Sequence, residues 1–268
     1  MQKFGTFTPS GLSRLILILA KLGFGRGRLK RIFAQLWKNI YGINPVDFEY
    51  YGLNFRLQPN QNTIESKMLF GTKRREKEEL AMIARFLPPR GIFVDIGANI
   101  GYYAINAAHL GAEKVIAIEP NPLMLARMAD NIALNDLSTK IVTHGVAVGA
   151  NKGSANLIIS DNDLGSSSIV NTSVGSNQIS VGVTPLLEVL KQESVLLVDV
   201  IKIDIEGMED RALFPYFEAI SPKHYPKLIV MEDGINAHWE RNILEWLLEN
   251  GYQKAGRTRG NVMLTLNQ

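Results

Sequence analysis

The sequence contains no cysteine among its 268 residues. Disulfide bridges, thiolate-bound zinc and cysteine nucleophiles are therefore excluded. With 46% hydrophobic and 21% charged residues, the rest of the composition is that of an ordinary globular protein. The chain has neither a repeat period nor a low-complexity segment, so solenoid, coiled-coil and collagen-like architectures are not expected.

Long apolar runs are missing as well. The apolar stretch at residues 15–20 is far shorter than the ~20 residues that a membrane-spanning helix needs. Lys21, Arg26 and Arg28 follow it, where a cleavable signal peptide would carry small residues. We therefore expect a cytoplasmic protein.

Negative charge is absent from the N-terminal region, because no carboxylate precedes Asp47. Apolar residues recur there at helical spacing up to Gly42, which predicts a basic amphipathic extension over residues 1–45. Its apolar stripe either docks onto the rest of the protein, the commoner case, or makes a peripheral contact with the inner face of a membrane. The stripe consists of Leu29, Ile32, Phe33, Leu36, Trp37 and Ile40. The cations of the region are Lys3, Arg14, Lys21, Arg26, Arg28, Lys30, Arg31 and Lys38.

Residues 46–90 read as a hairpin and a helix that lead into a core domain over residues 91–268. A hairpin is predicted at residues 48–57, and a helix at residues 76–86 ends at Pro88 and Pro89. From Gly91 onward, short apolar runs alternate with helical patterns, which predicts βαβ units and a mostly parallel α/β sheet. The predicted strands cover residues 92–96, 114–119, 141–148, 198–205, 227–232 and 261–266, and the helices residues 102–110, 123–134 and 241–250.

A polar segment at residues 150–181, rich in Asn, Ser and Gly, interrupts this alternation. We interpret it as an irregular insertion or a β-excursion that closes over a site.

The first predicted strand ends in a glycine-rich turn that opens a helix, where free backbone N–H groups face a ligand. Asp95 precedes Gly97 there, and a carboxylate at this place repels a pyrophosphate but pairs with the cationic end of S-adenosylmethionine. Glu119 ends the next strand, where an acidic residue accepts hydrogen bonds from ribose hydroxyls. The competing interpretations are a structural turn with a capping Asp, or a nicotinamide site, although the pattern D-x-G-x-N-x-G differs from G-x-G-x-x-G. The predicted cofactor-binding residues are Asp95, Gly97, Asn99, Gly101, Glu119 and Asn121.

These segments resemble the FkbM family of S-adenosylmethionine-dependent methyltransferases. The resemblance lies in FVDIGANIGYYAINAA (93–108), VIAIEPNP (115–122), IKIDIEGMED (201–210) and IVMED (229–233), with NTIESKMLFG (62–71) and GSSSI (165–169) as further matches. It implies a Rossmann-like class I methyltransferase with helices on both faces of the sheet and a reversed last strand. It also implies transfer of a methyl group to oxygen, commonly a hydroxyl of a sugar or polyketide.

A charged group follows the strand at residues 198–205. Lys202, Asp204 and Glu206 project to one side, because side chains alternate along a strand. They either form an ion pair that braces the strand end or supply a general base, since a sugar hydroxyl is a poor nucleophile. The predicted catalytic residues are Asp204, Glu206, Glu232 and His238. No metal site is predicted, although Asp204, Glu206, Glu232 and Asp233 could gather around magnesium or calcium as an alternative.

The sequence thus predicts an O-methyltransferase for a hydroxyl of a sugar, glycan or glycolipid. No nucleic-acid partner is expected, because no N/D-P-P-Y/F motif occurs and cations do not interleave with aromatic residues in the α/β part. The alternatives are a methyltransferase for nucleic acid or another small molecule, and a non-catalytic module that only binds S-adenosylmethionine.

Overall fold

A computed structural model describes residues 2–24, 27–71, 73–160, 163–170, 178–234 and 236–267. The side chains of Arg28, Lys30, Arg31 and residues 166–170 lie outside this description. Arg26 and part of the predicted insertion, residues 161–162 and 171–177, lie outside it too.

Strands and helices alternate over most of the chain. The strands are β1 (Val46–Tyr50), β2 (Leu53–Leu57), β3 (Ile92–Ile96), β4 (Lys114–Ile118), β5 (Ile141–His144), β6 (Ala147–Val148), β7 (Gly153–Ser160), β8 (Asp163–Val170), β9 (Gln178–Thr184), β10 (Val200–Ile203), β11 (Leu228–Glu232), β12 (Tyr252–Arg257) and β13 (Asn261–Leu266). The α-helices are α1 (Gly11–Leu19), α2 (Gly27–Tyr41), α3 (Thr63–Phe70), α4 (Lys77–Phe86), α5 (Tyr102–His109), α6 (Pro122–Ala133), α7 (Leu186–Gln192), α8 (Glu209–Ala219) and α9 (Ile243–Glu249).

The central sheet has seven strands in the order β12-β13-β11-β10-β3-β4-β5. Strands β5, β4, β3, β10 and β11 are parallel, whereas β13 runs antiparallel to both β11 and β12. The predicted mostly parallel sheet with a reversed last strand is therefore confirmed. The chain leaves β3 toward β4 on one side and later returns to β10 on the other, and open α/β sheets bind ligands at such a switch point.

Both faces of this sheet are buried, which explains why its strands are almost continuously apolar. Phe93 and Val115 point into a core shared with α4, α5 and α6. Val94 and Ile116, each the next residue along its strand, point into a second core with α7, α8 and α9. Helices thus cover both faces, as predicted.

The N-terminal helices pack into the first of these cores. Ile16 of α1, Ala20 directly after α1 and Trp37 of α2 are buried, and the Trp37 ring makes an edge contact with Phe70 at a centroid distance of 5.7 Å. The hairpin β1–β2 adds Phe55 to the same core. One apolar core thus contains residues from all three predicted segments, 1–45, 46–90 and 91–268. The division of the chain at these boundaries stays a prediction.

A second, four-stranded sheet has the order β6-β9-β7-β8. Strand β5 belongs to the central sheet and β6 to this second sheet, so the prediction of one strand over residues 141–148 was wrong. The described part of the segment 150–181 consists of β-strands that pair antiparallel, which corresponds to the predicted β-excursion. In the part of the chain that the structure describes, no helix is long and apolar enough to span a membrane.

Candidate active site at the strand ends

A cleft of about 1000 Å³, its open mouth included, lies at the carboxyl ends of β3, β4 and β10. Of the ten predicted site residues, five line it, namely Gly97, Asn99, Glu119, Asp204 and Glu206. The structure therefore brings the turn after β3, the tip of β4 and the end of β10 around one cavity. The other five predicted residues lie behind the wall of the cleft or outside it.

The turn after β3 has a left-handed backbone at Gly97 (φ 78°), Asn99 (φ 52°) and Gly101 (φ 84°). A Cβ on Gly97 would collide with the carbonyl oxygen of Asp204, so this glycine lets the ends of β3 and β10 approach each other. A Cβ on Gly101 would lie 2.8 Å from Cγ of Met128 in α6. Both glycines serve the packing of the turn, and only Gly97 also faces the cleft.

Glu119 follows β4, and its carboxylate faces the cleft although the residue is only 5% exposed. Oε2 accepts a hydrogen bond from the backbone N–H of Asn99 at 2.8 Å, and Oε1 accepts one from that of Asn121 at 2.9 Å. Burial raises the pKa of Glu119 to about 7, although these two N–H donors lower it. The two bonds fix the carboxylate, and each oxygen retains a lone pair for a ligand.

Asp95 does not line the cleft, and its pairing with the cationic end of a cofactor stays a prediction. Its side chain is fully buried, and Oδ2 accepts a hydrogen bond from the backbone N–H of Ala104 in the first turn of α5 at 3.0 Å. Oδ1 lies 3.8 Å from Nζ of Lys202, its partner in the register of β3 and β10. Burial raises the pKa of Asp95 to about 6, whereas Lys202 lowers it. The carboxylate therefore caps a helix and balances a buried lysine.

Asn99 and Asn121 hold the start of β8 against the cleft. Nδ2 of Asn99 donates to the carbonyl oxygen of Gly165 at 2.8 Å, and Nδ2 of Asn121 donates to that of Leu164 at 2.8 Å. Gly165 itself lines the cleft. Asn121 is fully buried behind the wall, where its Oδ1 also caps α6 by accepting the N–H of Leu123 at 3.0 Å. Both asparagines thus attach the β-excursion to the cofactor turn.

An apolar wall stands beside Glu119. It is formed by Ile118 at the end of β4, Val146 and Val148 around β6, and Leu157 in β7. The sequence analysis did not single out these residues, which come from three separate segments of the chain. An apolar surface beside a buried carboxylate suits a planar base attached to a sugar.

The other end of the cleft is charged. Nζ of Lys202, buried in β10, donates to the carbonyl oxygen of Gly97 at 3.2 Å and lies 3.6 Å from Oδ2 of Asp204. Burial lowers the pKa of Lys202, but the nearby carboxylates, led by Asp204, outweigh burial and raise it. Glu232, at the end of β11, is half-buried and hydrogen-bonds with Asp204. Burial and then the charge of Asp204 raise the pKa of Glu232 to about 9.

The two remaining predicted catalytic residues lie in different surroundings. Glu206 lines the cleft with a left-handed backbone (φ 57°), and burial raises the pKa of its carboxyl group. His238 lies in an exposed turn, Asn236–His238, outside the cleft lining. The role of His238 as a candidate base stays a prediction, and the structure gives it no support.

Three further residues of the charged end did not appear among the predicted site residues. Arg75 and Glu76 line the cleft just before α4 and form an ion pair with each other. The ring of Tyr103 in α5 lies under Lys202, with its centroid 5.2 Å from Nζ. Glu76 has a left-handed backbone (φ 50°), a local sign of a special position that a sequence does not reveal.

Within the described residues, no group of three or more His, Asp or Glu side chains is placed to hold a metal ion. Asp233, one of the four residues of the metal alternative, instead forms an ion pair with Arg257 at 2.7 Å. Its side chain is almost fully buried beneath that arginine.

Comparison with known proteins identifies the domain, because residues 95–254 match the methyltransferase FkbM domain family. The chain belongs to this family. The predicted family and its methyltransferase domain are therefore confirmed.

Curated relatives match over shorter stretches. The chain is 30% identical over 154 residues to a ribosomal protein L11 methyltransferase of Exiguobacterium sibiricum, covering 51% of this chain and 48% of the relative. It is 35% identical over 80 residues to that of Carboxydothermus hydrogenoformans, covering 29% and 26%. The chain thus spans about half the length, or less, of the curated relatives it matches.

Solved structures resemble the chain more distantly. A methyltransferase FkbM from Methylobacillus flagellatus KT has a TM-score of 0.45 and 16% identity, over 95% of this chain and 77% of that one. An rRNA methylase from Streptococcus thermophilus has a TM-score of 0.44 and 13% identity, over 73% and 98%.

Proposed function

We propose that this FkbM-family protein is an S-adenosylmethionine-dependent O-methyltransferase that acts on a hydroxyl of a sugar, glycan or glycolipid. The observation that carries the proposal is the placement of Glu119 and Asp204 in one cleft, at the ends of β4 and β10. Because β3 lies between these strands, the two ends are about 10 Å apart, roughly the span from a ribose to the far end of a methionine side chain.

The residues present fit the cofactor. The carboxylate of Glu119 would accept hydrogen bonds from the ribose hydroxyls, and the apolar wall from Ile118 to Leu157 would cover the adenine ring. The turn at Gly97 would contact the methionine part. When bound, S-adenosylmethionine supplies a methyl group activated by its sulfonium charge.

The charged end of the cleft would handle the proton of the acceptor. Asp204 is the hydrogen-bonding neighbour of Glu232, and it is the member of that pair that lines the cleft. It is therefore placed to accept the proton of a bound hydroxyl, and general-base help of this kind is worth about 10²–10⁴-fold in rate. Lys202 helps to hold Asp204 in position, because its Nζ lies 3.6 Å from Oδ2 of Asp204.

A polyhydroxylated acceptor suits this end because its lining offers several hydrogen-bonding groups, including Arg75, Glu76 and Glu206. A ribosomal protein is the second candidate acceptor, favoured by the names of the curated relatives that match half of the chain.

The test is a transfer assay with full-length protein and S-adenosylmethionine labelled in its methyl group. Purified glycans and glycolipids, ribosomal proteins and ribosomal RNA are offered separately. We expect label in the glycan or glycolipid fraction and its loss in the D204N variant. Label in protein or RNA alone would refute the proposed acceptor. Binding of S-adenosylhomocysteine without turnover on any fraction would favour a non-catalytic module.

A further inference from the structure

Helices α1 and α2 expose an unusual amount of apolar surface. Among the described residues, they and their immediate flanks contribute ten of the seventeen large apolar side chains that are exposed, at 43–71% of their area. Single exposed apolar residues are normal in soluble proteins, whereas their concentration on one part of the surface marks a binding site. The ten residues, called here the outer face, are Leu12, Leu15, Ile18, Leu22, Phe24, Leu29, Ile32, Leu36, Ile40 and Ile43.

Each of the two helices is apolar on two sides. Ile16 of α1 and Ala20, directly after α1, point into the core, whereas Leu12 and Leu15 of α1 are exposed on the solvent side. The predicted stripe of α2 is likewise divided between the core, which receives Trp37, and solvent. Docking onto the domain therefore uses only one side of each helix and leaves the other without a partner in the described chain.

The inner sides of α1 and α2 are packed against the rest of the protein, so the outer face belongs to helices that are already docked. Trp37 stacks on Tyr41 at a centroid distance of 4.5 Å and contacts Phe70 of α3. Nζ of Lys21 donates to the carbonyl oxygens of Met68 and Gly71 at the end of α3, at 3.4 and 2.9 Å.

The charge of the region indicates what covers the outer face. No carboxylate precedes Asp47, and that residue is buried in an ion pair with Arg56 at 2.8 Å. Arg14 and Lys38 are exposed on the same two helices. A second copy of this surface would bring like charges together, whereas the surface of an anionic bilayer offers both apolar chains and negative charge.

We propose that α1 and α2 form a peripheral membrane-binding surface for bilayers with anionic lipids. The outer face enters the interface between headgroups and acyl chains, and the cations contact the headgroups. The proposal depends only on these helices and stands apart from the catalytic activity.

The experiment is flotation of the full chain with vesicles of phosphatidylcholine alone and with about one-third phosphatidylglycerol. We expect binding to the anionic vesicles, weakened by salt, and little binding to phosphatidylcholine alone. The variant L15Q/L22Q/I32Q should bind these vesicles at least about tenfold more weakly, because three apolar side chains no longer enter the bilayer. The matched control L196Q/L197Q/L248Q alters three exposed leucines elsewhere and should bind like the unmodified chain.

A charge variant separates the electrostatic part. R14Q/K38Q should lose several-fold in affinity for anionic vesicles, and K223Q/K254Q, with two exposed lysines elsewhere, should not. Circular dichroism establishes that each variant is folded. Equal binding by the outer-face variant and its control, or no vesicle binding by the folded protein, would overturn the proposal. A dimer that dissociates in L15Q/L22Q/I32Q, without vesicle binding, would assign the surface to a second copy.

Discussion

The two ends of the cleft are built in different ways. At the Glu119 end, a carboxylate is held by backbone N–H groups of Asn99 and Asn121, within one stretch of chain. At the Asp204 end, charged side chains from β3, β10 and β11 hold one another. The first end is fixed by the backbone, whereas the second is a network of charged side chains, of which Asp95 and Lys202 are buried.

This difference in construction suits the two ends of the cleft to different functions. A carboxylate held by the backbone stays in place when its surroundings titrate, which suits recognition of an invariant cofactor. A network of charges exchanges protons readily and responds to each change in its members, which suits chemistry on an acceptor. We therefore expect variants of the Asp204 end to lose turnover and variants of the Glu119 end to lose cofactor affinity.

The largest effect is expected for Asp204→Asn, which removes the proton acceptor and retains the side-chain shape. Turnover should fall by about 100-fold or more, while affinity for S-adenosylhomocysteine should change by less than about twofold. Initial rates and calorimetry measure the two quantities, with Glu218→Gln, a remote exposed carboxylate, as the control. A matching loss of affinity would place Asp204 in the cofactor site and abolish the distinction between the ends.

Gly97→Ala tests the point where the two ends meet. The added Cβ collides with the carbonyl oxygen of Asp204, and the left-handed backbone adds strain. The free energy of unfolding should fall by about 2 kcal/mol or more in urea titrations. Gly153→Ala, where the same atom meets nothing within 4 Å, should change it by less than about 1 kcal/mol. Equal stability of the two variants would contradict the close approach of β3 and β10.

Glu119→Ala should weaken binding of S-adenosylhomocysteine by about 1–3 kcal/mol, because charged hydrogen bonds to the ribose are lost. Glu119→Gln retains an oxygen acceptor and should lose less. Glu113→Ala, an exposed carboxylate paired only with Arg90, provides the control. If all three variants bound equally well by calorimetry, Glu119 would have no part in holding the cofactor.

The smallest effect concerns the pH dependence of stability. Because the folded protein raises the pKa of Glu232 from 4.5 to about 9, the native state binds the extra proton and its stability falls as pH rises between these values. Glu232→Gln removes this fall, so its unfolding free energy relative to the unmodified chain should be higher at pH 8.5 than at pH 5.5. About 1 kcal/mol is expected after solvent screening of a half-exposed group. A difference of opposite sign in urea titrations would disprove the raised pKa of Glu232.

The sequence was most informative where local signals suffice. Strand β3 and the turn that follows were predictable because an apolar run, glycines and the start of a helix are contiguous. The edge strand β12 was not, because most of its side chains face solvent and no apolar alternation marks it. Helix α8 was not predicted either, since it contains Pro215 and begins shortly after the charged residues that follow β10.

The types of residue in the site could be predicted from the sequence, but the contacts between their side chains could not. Lys202 lies beside Asp95 only because β10 pairs with β3, two strands more than 100 residues apart in the chain. Asp95 therefore contacts Lys202 within the sheet and does not line the cleft. The same long-range assembly brings Arg75 and Glu76 into the lining and leaves His238 in solvent.

The most direct test of the central claim is a crystal structure of the protein with S-adenosylhomocysteine. We predict that both ribose hydroxyls lie within hydrogen-bonding distance of the Glu119 carboxylate and that the sulfur lies toward Asp204. A nucleoside bound elsewhere, or with its ribose away from Glu119, would contradict the assignment of the two ends.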